Sequence, residues 1–245
     1  MPASIRRNYS RELPGTAFLS VARAAFDGSV LGIVVRISYD GVVNDQALNF
    51  AVAVLASMPA LANFIWAKAA HGHNKIRFSV GVQIAMLTLL LGIALVPHSP
   101  MGLVMLSAVL LAVWVCWSGF IAMRSTIWRS NYPRHLRARV AGKLATIQTL
   151  TASTLGLTLG AVMGDNLSRL DPSLSLESIG FEPLGVFRVY VVICVALGAV
   201  GVAILSTIRV RQHKRMLREE RDSTSDNTGP TINPMGVIRL LREDR

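Results

Sequence analysis

Charge is scarce in this chain, and negative charge scarcer still: 16% of residues are charged, with 14 Asp and Glu against 25 Lys and Arg. An average soluble protein carries about 25% charged residues. With 52% of residues hydrophobic and a mean hydropathy of +0.47, the chain has too little polar surface to cover its apolar atoms in water. Its 2 cysteines, Cys116 and Cys194, exclude a disulfide-stapled scaffold. Both lie in apolar stretches, where cysteine behaves as a small hydrophobe. Soluble-enzyme motifs are missing: there is no phosphate-cradling glycine loop and no nucleophile motif, and His71 and His73 have no cysteine or carboxylate beside them to complete a metal site. The sequence predicts neither an enzyme nor a cofactor. Its N-terminus lacks the apolar core and small-residue cleavage site of a signal peptide.

What the chain has instead is long apolar runs. A bilayer core of ~30 Å is crossed by roughly 20 apolar residues of helix. Five stretches qualify: Ala47 to Trp66, Ser79 to His98, Met101 to Met123, Leu144 to Gly164 and Tyr190 to Thr207. A sixth, Phe18 to Ile37, is interrupted by Arg23, Asp27 and Arg36, and charges at a helix centre cost ~2.5 to 3.5 kcal/mol each on insertion scales.

The basic residues settle whether that segment spans. The net charge of +11 could suggest nucleic acid, but no soluble domain collects these residues; they sit between and after the apolar runs. With six spans, 20 of the 25 Lys and Arg fall on one face: three before the first span, Lys75 and Arg77 after the second, six from Arg124 to Lys143 after the fourth, and nine after Thr207. Short cytoplasmic loops hold such an excess, so both termini are predicted to be cytoplasmic. Five spans would break the pattern. The expected organisation is an N-terminal cytoplasmic segment over 1–17, a six-helix transmembrane bundle over 18–207 and a basic cytoplasmic linker over 208–245.

Within the bundle, Asp27 is predicted near the membrane middle, where an acid is costly unless neutralised, paired or facing water. Arg23, four residues earlier on the same helical face, is a partner at the right spacing. In the fifth span Thr149, Ser153, Gly156, Gly160 and Gly164 form one narrow stripe, which predicts close backbone packing. Thr151, Thr154 and Thr158 occupy the opposite face, with Gln148 to one side. They either line a polar cavity or bond their own helix backbone. Pro59 is predicted to kink the second span. Trp114 and Trp117 lie too far from the ends of the fourth to form an interfacial belt, so they are assigned to core packing.

Six spans with both ends inside and a basic linker resemble the N-terminal half of a major facilitator superfamily transporter running into that family's central loop. The local match is the stretch after the fourth span, with Tyr132, Pro133, Arg137, Arg139 and Gly142 followed by the glycine-rich helix of Gly156, Gly160 and Gly164. The sequence departs from the family where Ala69 stands near the usual acid between the second and third helices, beside Gly72, Lys75 and Arg77. It also lacks a central arginine in span four and a Gly-Pro in span five. The resemblance implies an all-α fold of two three-helix inverted repeats. It further implies a small-molecule substrate moved by alternating access against a second six-helix half or another copy of the chain. Against this stands a membrane scaffold or assembly protein that retains the fold without transport.

Overall fold

The computed structural model describes residues 3–57, 66, 69–71, 73–163 and 183–210, and every regular element among them is helical. In chain order these are α1 (Ala3–Ala24), α2 (Gly28–Tyr39), α3 (Asp45–Ser57), α4 (Lys75–Gly92), α5 (Pro100–Asn131), α6 (Arg134–Met163) and α7 (Pro183–Ser206), with one 3-10 turn, Ile93–Leu95, extending α4. Three stretches are long and apolar enough to cross a membrane: Lys75–Leu95, Pro100–Asn131 and Leu184–Ser206. Among the described residues the chain is thus an all-helical, membrane-embedded protein. Pro59, Gly164 and the linker beyond 210 lie outside the described residues.

Local chemistry sets the helix ends. Asn74 caps α4, its side chain accepting from the backbone N–H groups of Ile76 and Arg77. Ser99 caps α5 by accepting from Gly102 N at 3.1 Å, and Pro100 takes the first position, where its missing N–H costs nothing. At its other end α5 stops at Asn131 because Pro133 drives Tyr132 out of the helical region, to φ −117° and ψ 133°. Gly41, at φ +72°, turns the chain between α2 and α3.

The expectation of one continuous helix from Phe18 to Ile37 is corrected. The segment breaks into α1 and α2, joined by tight turns in which Ala25 N donates to Ala22 O at 3.2 Å and Phe26 N to Arg23 O at 3.1 Å. Asp27 sits at the N-cap of α2 in extended conformation, φ −67° and ψ 141°. Phe26 fixes this break. Its fully buried ring makes edge contacts with Trp114 at 5.2 Å and Trp117 at 5.7 Å between centroids. Helix α1 also begins well before Phe18 and crosses position 17 without interruption, burying Ile5, Glu12, Gly15 and Thr16.

α1 runs along α7 and α6, α5 along α4, and α4 against α7, while α2 packs on α3 and α6. The closest approach is between α1 and α7. A Cβ added at Gly201 would lie 2.6 Å from Leu19 N and 2.8 Å from Gly15 O, and one at Gly198 would lie 2.6 Å from Ala22 Cβ. Lipid is as apolar as leucine, so such contacts bind through van der Waals packing rather than through burial from water. Both ends of the bundle chain meet on one side: Asn8 Nδ2 donates to Arg209 O at 2.9 Å and Arg11 to Thr207 O at 2.7 Å. At the opposite end Arg188 Nη2 donates to Val96 O at 2.5 Å, and Tyr39 and His98 join α2 to the turn before α5.

Candidate functional site

Two polar clusters lie inside this apolar frame. The first is the α1–α2 break. Arg23 Nη2 is 3.9 Å from Asp27 Oδ1, with the two side chains 28% and 27% exposed. The expected pair therefore forms, but at a discontinuity in the backbone rather than on one continuous helix face. Arg23 also lies over Trp117, 5.5 Å from the ring centroid, so the indole assigned to packing both buries the break and faces a cation. The Asp27 carboxylate stands at the N-terminal end of α2, where unpaired N–H groups and the helix dipole favour negative charge.

The second cluster was not anticipated from the sequence. Arg124, expected in a basic loop, is a buried residue of α5. Its Nε is 3.6 Å from Glu12 Oε1 and its Nη2 donates to Thr16 Oγ1 at 2.8 Å. Glu12, 4% exposed, also accepts from Tyr132 at 2.6 Å and from the indole N–H of Trp128. Arg124 lies 4.7 Å from the Trp128 ring centroid. Each buried charge is thus paired and hydrogen-bonded, the condition under which burial is tolerated. Burial pushes the Tyr132 phenol above its ordinary range, and the neighbouring Glu12 charge adds to the shift. A small cavity of about 30 Å³ adjoins the pair and is lined also by Ser79 and Gln83; it is of a size for one water. The spacing held a clue. Phe120, Arg124 and Trp128 recur every four residues, as do Glu12 and Thr16, so each set shares a helix face.

Gln148 is buried on α6, in line with Leu144, Ala152 and Gly156. Thr151 is half-buried, while Thr154 and Thr158 are exposed. Thr158 donates to its own helix at Leu155 O, 2.9 Å. Of the glycine stripe, Gly156 is buried, and a Cβ at Gly160 would meet Ile33 Cδ1 at 3.2 Å; Thr149 and Ser153, at its start, are exposed. Lys75 is not in a loop but opens α4, buried, with Nζ donating to Ala70 O at 2.6 Å. Arg77 is exposed. Arg137 closes the end of α5, donating to Tyr132 O and Arg129 O, each at 2.8 Å; cations at a helix C-terminus are favoured. Arg139 is exposed on a shallow groove with Tyr9 and Lys143.

Among the described residues no group of three or more His, Cys, Asp and Glu could hold a metal ion. No family model, curated protein or solved structure matches the chain.

Proposed function

We propose that the chain is one half of a secondary transporter of the major facilitator type, moving a small solute between itself and a second half by alternating access. The observation that carries the reading is the broken first segment. Discontinuous helices at membrane depth place helix ends and polar side chains where a solute or proton can be held. Here the break carries Arg23 and Asp27 against Trp117. The packing supports the same reading. Exchanging the first three apolar segments with the last three turns the α1–α7 seam into the α5–α4 seam and leaves α4–α7 on itself, the pairing that two inverted repeats require.

In this mechanism Asp27 exchanges its partner Arg23 for a proton or a cationic group as the halves rock. The test reconstitutes the assembled transporter in liposomes loaded with a pH-sensitive dye and adds a panel of amino acids, sugars and organic ions. Solute-dependent proton entry is expected, and Asp27→Asn should reach the membrane normally yet lose it. Gradient-driven uptake unchanged by Asp27→Asn would end the coupling role. The scaffold reading draws support from Ala69, which stands where the family resemblance expects an acid. It would prevail if no solute on the panel moved.

A further inference from the structure

We propose that the groove between α1 and the start of α6 holds an anionic phospholipid, with its phosphate on Arg139 and Lys143 and an acyl chain along the exposed face of α6. The proposal goes beyond the transporter reading and stands whether or not the chain moves a solute.

Helices α1 and α6 run side by side, and a groove of about 230 Å³ opens along their contact, lined by Tyr9, Leu136, Arg139, Val140 and Lys143. That lining carries two cations and no acid. Glu12, three residues from Tyr9 on α1, is buried and committed to Arg124 and Tyr132, so it does not neutralise the groove. Arg139 and Lys143 are both exposed and stand four residues apart, which makes them neighbours on one face of α6. Between them Val140 packs with Ile5, Tyr132 and Leu144 into an apolar floor.

The position along α6 sets the depth. Lys143 is the last charged residue of that helix, and none follows before Asp165. The groove therefore lies where the apolar run begins, at the level of lipid phosphates, and Tyr9 supplies the aromatic ring favoured at that level. Onward from Lys143 in steps of three and four, the same face carries Thr146, Leu150, Thr154 and Leu157. Leu150 is 62% exposed and Leu157 75%, while the Thr146 hydroxyl is satisfied by Gly142 O at 3.0 Å. At 1.5 Å per residue Leu150 lies ~10 Å and Leu157 ~21 Å from Lys143, against a leaflet of hydrocarbon ~15 Å deep, half the bilayer core. The stripe is as long as the path of an acyl chain.

This order of charge and apolar surface selects the occupant. Two cations at the membrane boundary followed by exposed leucines match a phospholipid with net negative charge, head to tail, and basic pockets between helices bind such head groups electrostatically. A zwitterionic lipid brings no net charge to the cations, and a soluble anion leaves the leucines without a partner. A second copy of a chain with net charge +11 brings more cations, and a two-fold contact here would set Arg139 and Lys143 against themselves.

The test uses the full chain purified in a neutral detergent and titrated with phosphatidylglycerol, phosphatidylcholine or glycerol 3-phosphate. Native mass spectrometry counts bound lipid and chain copies, and thermal unfolding reads stability. A single phosphatidylglycerol should bind and raise the melting temperature at concentrations at which the other two do neither. Arg139→Gln with Lys143→Gln should weaken that binding at least about tenfold, and the charge-conserving exchange Arg139→Lys with Lys143→Arg should retain it. Arg77→Gln with Arg129→Gln, which removes the same charge from exposed positions outside the groove, should leave binding unchanged. Leu150→Ser with Leu157→Ser should weaken it through lost acyl contact. Equal binding of phosphatidylcholine, equal loss in the two arginine-lysine and arginine-arginine charge variants, stabilisation by glycerol 3-phosphate, undiminished binding in the leucine variant, or a lipid-free dimer would each overturn the proposal.

Discussion

Tyr132 donates its phenolic hydrogen to Glu12 Oε2 at 2.6 Å, across 120 residues of sequence. With the Glu12–Arg124 pair at 3.6 Å, this contact ties the first helix to the end of α5, at the end of the bundle where the chain's basic residues gather.

Breaking that buried pair should be costly, because the remaining charge loses its partner in a medium that cannot solvate it. Glu12→Ala or Arg124→Ala alone should lower stability by about 3 to 5 kcal/mol, and the joint replacement Glu12→Leu with Arg124→Met should recover most of it. Thermal unfolding of the purified chain in detergent reads both. Double-variant stability equal to the sum of the single losses would show that the two groups do not act as a pair.

Tyr132 gives the network an alkaline limit. Its phenol is raised above the ordinary value, first by burial and then by the Glu12 charge. The folded state therefore holds the proton more tightly than the unfolded state. The resulting stability is fully present below about pH 10 and declines as pH rises above the free tyrosine value. Tyr132→Phe should lose the hydrogen bond to Glu12 at neutral pH yet show a shallower alkaline decline. An unchanged slope between pH 9 and 11, roughly the range in which free tyrosine ionises, would remove Tyr132 as its source.

The glycines rank differently in space than along the sequence. Gly201 faces the backbone of α1, whereas a Cβ at Gly160 would meet only the flexible end of Ile33. Gly201→Ala should destabilise the protein by about 1 to 3 kcal/mol, and Gly160→Ala by distinctly less. Comparable losses in folded yield and melting temperature would show that the α1–α7 seam is no tighter than the α2–α6 contact.

Orientation is testable apart from any function. In a chain lacking Cys116 and Cys194, an impermeant thiol reagent applied to intact cells should label Ser173→Cys and spare His135→Cys and Ser225→Cys. Labelling at His135→Cys would reverse the assignment.

The sequence alone determined the class of this protein. Scarce charge, long apolar runs and basic residues gathered between them follow from the cost of placing charge in hydrocarbon, and they are properties of local composition. Asn74, Ser99, Pro100 and Pro133 likewise set their helix ends through neighbours a few residues away. The pairing of Arg23 with Asp27 was legible as a four-residue spacing, although it forms across the α1–α2 break rather than along one helix. Tertiary structure decided the rest. Arg124 reads as a loop cation until Glu12 is brought beside it, because charge counting cannot tell a solvated arginine from one neutralised by a distant carboxylate. Apolar length and charge bias placed Phe18 to Ile37 in one span, yet the chain breaks where Phe26 turns between Trp114 and Trp117, a choice made by rings on another helix. The glycine stripe of α6 was visible as spacing, but spacing does not say which helix lies opposite. The tightest seam joins Gly15 to Gly201, because close approach is a property of two surfaces and the sequence presents them one at a time.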